Sequence, residues 1–85
     1  MEVQQAPHQP GQPPGIAAGD RLSLIVLGMG RVDAVVERVD ELVQEGVRGL
    51  AWRVELRLPN GEFAYGIKRG HARLAFLDPR HRVAG

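Results

Sequence analysis

The chain has 85 residues, contains no cysteine and carries a formal net charge of +1 at pH 7. A chain of this length forms at most one domain and leaves little room for a cofactor buried within one subunit. Because there is no cysteine, a disulfide framework and a thiolate metal site are excluded. Hydrophobic residues make up 44% of the chain and charged residues 25%, which is the balance of an ordinary folded domain.

Residues 1–18 are rich in proline and glutamine, and Val3 and Ile16 are their only branched apolar residues. Such a segment cannot bury enough surface to offset the entropy lost on ordering, so we expect a disordered arm. No basic segment followed by an apolar one is present at the N-terminus, and the longest apolar run is Leu24 to Leu27. We therefore expect a cytoplasmic protein without a membrane partner.

A strand is predicted from Asp20 to Leu27, because Leu22, Leu24 and Val26 alternate with the residues between them. The glycines of the next three residues, 28–30, would end this strand. Beyond this turn, apolar residues follow a helical series up to Gly46: Val32, Val35, Val36, Val39, Leu42 and Val43. Most of them are valine, which prefers strands, so both a helix and a strand remain open for this segment.

A β-hairpin is the clearest prediction. Residues 52–58 alternate between apolar and charged side chains, and Pro59, Asn60 and Gly61 supply a turn. Residues 63–67 then form the returning strand, with Phe63, Tyr65 and Ile67 on its apolar side. A last short strand is predicted at residues 72–77. Because the aromatic residues of the hairpin fall on its apolar side, we predict that they pack in the core. Tyr65 is the best exception, because its hydroxyl prefers a polar edge.

Four segments of the chain resemble small SH3-like barrels of the KOW and Tudor type. These segments are Gly19 to Leu24, Gly30 to Val39, Val54 to Glu62 and Ala72 to Leu77. In order, they are similar to the opening strand, the second strand, the central strand with its turn, and the closing strand. The resemblance implies a fold more than an activity.

We therefore predict a mostly β protein, a small five-stranded SH3-like barrel over residues 19–78 with a loop or short helix at residues 40–48. Residues 1–18 would be the disordered arm and residues 79–85 a basic C-terminal tail. The alternative is an α+β fold of the β-α-β-β type, with a helix over residues 32–45.

Catalytic chemistry finds little support in the residues. His8, His71 and His81 have no second ligand at a metal-like spacing within a predicted element. Ser23 is the only hydroxyl nucleophile of the serine or threonine type, and no histidine lies near it in the sequence. We expect a non-enzymatic binding protein with no cofactor and no metal.

Charge is distributed unevenly, with a net charge of −4 over residues 1–45 and +5 over residues 46–85. Arginine suits bidentate contacts with phosphates and carboxylates, so the basic half predicts nucleic-acid binding. The residues predicted to bind are Arg53, Arg57, Lys68, Arg69 and Arg73. The alternative is a protein-interaction or regulatory module whose arginines contact an acidic protein. Such a small domain is also marginal in stability, which is consistent with a homo-oligomer.

Overall fold

The structure is a computed structural model that describes residues 15–85. Its strands are β1 (Arg21–Val26), β2 (Gly30–Gln44), β3 (Val47–Arg57), β4 (Phe63–Arg69), β5 (Ala75–Phe76) and β6 (His81–Val83). They form one antiparallel sheet in the order β5-β4-β3-β2-β1-β6. The two outer strands approach each other, with the Phe76 and His81 rings 6.0 Å apart between centroids. The sheet is therefore a small, nearly closed barrel.

The described residues contain no helix, so none of them forms an apolar helix of membrane-spanning length. The prediction of a mostly β fold is confirmed, and the helix proposed for residues 32–45 is wrong. The barrel encloses alternate residues of its strands, and its largest fully buried side chains are Trp52, Leu24, Leu56, Leu58, Val36 and Val54. Alternation places them on one side of the sheet because successive side chains of a strand point to opposite faces.

A β-bulge explains why β2 has a helical pattern of valines. The register shifts between Val36, which faces Leu56, and Arg38, which faces Glu55. One extra residue is thereby inserted, and Val39 lies opposite the buried Val54. Bulges of this kind re-aim the side chains that follow them. The three-residue step from Val36 to Val39 is therefore a feature of a bent strand.

The segment predicted as a loop or short helix, residues 40–48, belongs instead to a long β2–β3 hairpin. β1 pairs with β2 only as far as Val35, and β4 pairs with β3 only from Ala51 onward. Residues 39–50 are called the ribbon below. Its residues 39–42 still pair with the part of β3 that β4 flanks, and residues 43–50 extend past both β1 and β4. The described residues span 53 × 25 × 19 Å, in keeping with such an extension.

The folded segment begins earlier and ends later in the chain than the predicted limits, residues 19 and 78. His81–Val83, in the predicted tail, pairs with β1 and gives the barrel a sixth strand, because the β1 edge otherwise lacks a backbone partner. At the other end, Ile16 packs against the core, and the Ala17 amide donates to Asp20 Oδ2 at 2.9 Å. The ordered fold thus includes residues of the predicted arm, whose remaining residues, 1–14, lie outside the described range.

Candidate nucleic-acid interface

The turn between β3 and β4 determines which side chains face solvent. The Leu58 amide donates to the Glu62 carbonyl oxygen at 2.8 Å, leaving a three-residue loop in which Gly61 has a φ of 91°. This pairing places Leu56 opposite Ala64, both in the core. The neighbouring positions of β4 consequently point outward. A hairpin's register is set by its loop, and a one-residue slip would reverse every side chain.

Two aromatic rings lie on the outer face as a result. Phe63 and Tyr65 have ring centroids 6.4 Å apart and an interplanar angle of 26°. Phe63 is 40% exposed, and Tyr65, the expected exception, is half-buried. The prediction that the hairpin's aromatic residues pack in the core is therefore wrong for Phe63, whereas Trp52 is fully buried.

Two arginines on β3 cover these rings. The Arg53 guanidinium carbon lies 5.2 Å from the Tyr65 ring centroid, and that of Arg57 lies 5.5 Å from the Phe63 centroid. Both distances are in the range of cation–π contacts. We call these four residues the arginine–aromatic face. Two guanidinium groups from β3 and two aromatic rings from β4 thus lie together on the solvent-facing side of the sheet.

Carboxylates lie beside the arginine–aromatic face. Glu37 is 3.1 Å from Arg57 Nε, and Asp40 is 2.9 Å from Arg38 Nε. Glu55 joins Arg38, Asp40, Arg53 and Tyr65 around a shallow hollow. The surface thus has mixed charge and presents cations in specific positions, without a broad positive field.

The five basic residues predicted to bind do not all lie on this face. Arg53, Arg57 and Arg69 share the outer side of the sheet, with Arg69 paired opposite Ala51. Lys68 occupies an inward position, and its Nζ donates to the Gly70 and Ala72 carbonyl oxygens at 3.0 and 2.5 Å.

Arg73 is held in the β4–β5 connection, where its Nη2 donates to the Gly85 carbonyl oxygen at 3.2 Å. Lys68 and Arg73 thus hold the backbone of neighbouring segments through hydrogen bonds, and their side chains are less available to a ligand than those of the outer arginines. Of the five basic residues predicted to bind, the structure thus places three arginines on the outer side of the sheet, together with two aromatic residues of β4.

The perturbed titratable groups lie away from this face. Hydrogen bonds from the Arg48 side chain and then from the Gly49 amide lower the pKa of Glu41, which lies in the ribbon. Hydrogen bonds from the Arg80 side chain and then from its amide lower the pKa of Asp78 to about 2. Both carboxylates are engaged by structural partners. Within residues 15–85 there is also no cluster of histidine and acidic side chains that could hold a metal ion.

Comparison of the chain with protein-family models, with curated proteins and with solved structures finds no match.

Proposed function

We propose that the protein binds single-stranded nucleic acid on the arginine–aromatic face, without catalysing a reaction. The observation that carries the proposal is the pair of outward-facing rings of Phe63 and Tyr65, each with an arginine against it. Proteins that bind single strands combine aromatic rings, on which bases stack, with cations that contact the backbone. A small barrel of the KOW or Tudor type, which the sequence resembles, is compatible with such a role.

Stacking would supply most of the affinity. Base–aromatic stacking contributes about 1–3 kcal/mol per base, and arginine planes also stack on bases. A base can displace a guanidinium from one ring or stack on the guanidinium itself, because the two arginines are exposed. In a duplex the bases already stack on one another, so their faces are not available to these rings. The arrangement therefore favours single strands over duplexes.

Electrostatic attraction would be modest, because carboxylates neighbour the arginines. Three exposed arginines, Arg53, Arg57 and Arg69, share the outer side. Each phosphate neutralised adds about 0.7 to the salt dependence of single-strand binding. We therefore expect weak, largely sequence-independent binding, with dissociation constants on the order of micromolar to tens of micromolar.

Fluorescence anisotropy with labelled single-stranded DNA and RNA at about 50 mM salt, where phosphate contacts are strongest, tests the proposal. The double variant Phe63→Ala/Tyr65→Ala should bind at least about tenfold more weakly, since two stacking contacts are lost. The double variant Arg53→Glu/Arg57→Glu should lose a similar factor in affinity, because two cations that contact phosphates become anions.

The charge-matched control is Arg31→Glu/Arg82→Glu, which reverses two exposed arginines that both pair with Ile25 at the far end of β1, away from the face. It should bind nearly as well as the unmodified chain. If the control weakens binding as much as the Arg53/Arg57 variant, attraction is diffuse and the face is not the site. If the unmodified chain binds no single strand at tens of micromolar, the proposal is wrong.

The second candidate is an acidic protein partner. It is favoured by the exposed arginines of the outer side, Arg53, Arg57 and Arg69, because a guanidinium can make bidentate contacts with carboxylates. The Phe63→Ala/Tyr65→Ala variant separates the two candidates, because an acidic chain depends on the arginines and not on base stacking. Binding of poly-glutamate that survives this variant, together with no binding of nucleic acid, would support the second candidate.

A further inference from the structure

The ribbon ends in an apolar groove that the barrel does not cover. Leu42, Val47, Leu50 and Ala51 line it together with the polar residues of the hairpin tip, among them Glu45. Leu50 is 61% exposed. An isolated two-stranded hairpin is marginally stable in water, so an apolar surface at its tip is costly to leave uncovered.

A second groove lies at the opposite end of the barrel. Ile25, Leu27 and Pro79 supply its apolar part, and Arg80 and Arg82 supply its charge. Leu27 is 75% exposed, and its amide donates to the Arg80 carbonyl oxygen at 2.8 Å, which fixes the β5–β6 turn beside β1. The β1 end that forms this groove pairs with the start of β2, whereas the ribbon is the far end of β2.

The two grooves are complementary in charge as well as in apolar character. Glu45 is the acid of the ribbon groove, and Arg80 and Arg82 are the cations of the other. Arg80 already pairs with Asp78, at 2.8 Å. Within residues 15–85, neither Glu45 nor Arg82 has an ion-pair partner. An exposed acid and an exposed cation, each beside apolar side chains, are thus left for an intermolecular contact.

We propose that the ribbon groove of one copy of this chain docks against the Leu27–Arg82 groove of a second copy. Because the two grooves are different surfaces at opposite ends of the molecule, the contact is heterologous. Leu50 packs against Leu27 and Pro79 of the neighbouring copy, and Glu45 pairs with its Arg82. The contact is small, so it is weak, as interfaces below about 1,200 Å² generally are.

Reversing the charge of one groove at a time, by substitution, tests the proposal. Glu45→Lys and Arg82→Glu are made separately in the full chain, and sedimentation is measured from about 10 µM to about 1 mM, the range of weak association. The unmodified chain should self-associate in this range. Each single variant should associate at least about tenfold more weakly, since like charges then meet at every contact.

An equimolar mixture of the two variants should regain association close to that of the unmodified chain. When copies of the two variants alternate, every contact joins opposite charges. The lysine introduced in one variant meets the glutamate introduced in the other, and the native Glu45 of the second variant meets the native Arg82 of the first. Arg21→Glu, a matched reversal at an exposed position outside both grooves, should leave association unchanged. Circular dichroism verifies that all three variants remain folded.

Three results would overturn the proposal: an unmodified chain that stays monomeric throughout, single variants that associate normally, or a mixture that fails to recover. If the ribbons paired with each other instead, Arg82→Glu alone would associate normally, because Arg82 does not line the ribbon groove.

Discussion

Small residues on the inner side of β4 make room for the segment that closes the barrel. Ala64 and Gly66 are buried, whereas the larger Phe63 and Tyr65 point outward. A Cβ atom added at Gly66 would lie 3.0 Å from the Leu74 side chain and 3.0 Å from the Ala75 carbonyl oxygen. Gly66 therefore allows close packing between the sheet and the chain that enters β5.

Gly66→Val should consequently destabilise the barrel by about 1–3 kcal/mol, since an overpacked core shifts backbone and side chains. Thermal unfolding followed by circular dichroism measures the effect. Ala75→Val, at an exposed position of the adjacent strand, is the control and should change the midpoint little. Equal midpoints for Gly66→Val and the unmodified chain would show that Leu74 does not pack against β4 in this way.

Asp78 gives the turn before β6 a dependence on acidity. Its pKa falls from 3.8 to about 2 because the Arg80 side chain and amide donate hydrogen bonds to it. A carboxylate with a lowered pKa in the folded state stabilises that state above its unfolded pKa, and this contribution is lost as pH falls toward the folded value.

Between pH 4 and about 2, the unmodified chain should therefore lose more stability than Asp78→Asn, which cannot titrate at this position. Melting midpoints of both proteins across this range provide the comparison, because the other carboxylates titrate equally in each. Parallel curves would mean that the Asp78–Arg80 contact does not persist in solution.

At the scale of elements, the sequence predicts strands well and their registers poorly. Strict alternation in residues 52–58 identified β3, because a half-buried strand has a period of two. The outward orientation of Phe63 and Tyr65 depends on a three-residue loop, whereas hydrophobicity alone assigns both rings to the apolar side of the hairpin. In β2 the bulge after Val36 changes the period from two to three. Neither a bulge nor a loop closure has a hydrophobic pattern of its own.

Val36 tests the strand assignment of β2. Its side chain is buried, and its amide donates to the Asp20 carbonyl oxygen at 2.8 Å. Val36→Pro removes this donor and should unfold the domain, whereas Val36→Ala should remain folded with a loss of about 1.6 kcal/mol, for two buried methyl groups. Far-ultraviolet circular dichroism should show β structure with little helix. A helical spectrum for the unmodified chain, or a stable Val36→Pro variant, would contradict the barrel.

At the scale of the whole molecule, the two proposals use different surfaces that meet at one place, where Ala51 of the ribbon groove pairs with Arg69. The arginine–aromatic face lies on β3 and β4 of the barrel, whereas the self-association grooves lie at the ribbon tip and at the far end of β1. The sequence indicated a basic half of the chain. It did not indicate which cations lie on one surface. Lys68 and Arg73 do not join the outer arginines, because their side chains donate hydrogen bonds to backbone carbonyl oxygens.

Salt dependence reports how many cations contact the nucleic acid. With three arginines on the outer side, the logarithm of single-strand affinity should fall against the logarithm of salt concentration with a slope of about −2. Anisotropy titrations from about 50 to about 200 mM salt measure this slope. A slope of about −3.5 would require Lys68 and Arg73 to leave their carbonyl partners and join the interface.

The central claim is that single-stranded nucleic acid binds the arginine–aromatic face. Its most direct test is a titration of the isotopically labelled protein with a short single-stranded oligonucleotide, followed by amide chemical shifts. The account predicts progressive shifts that are largest at residues 53–57 and 63–69, with aromatic proton shifts at Phe63 and Tyr65 from base stacking. Unchanged spectra at saturating oligonucleotide, or shifts confined to the ribbon or to β1 and β6, would contradict it.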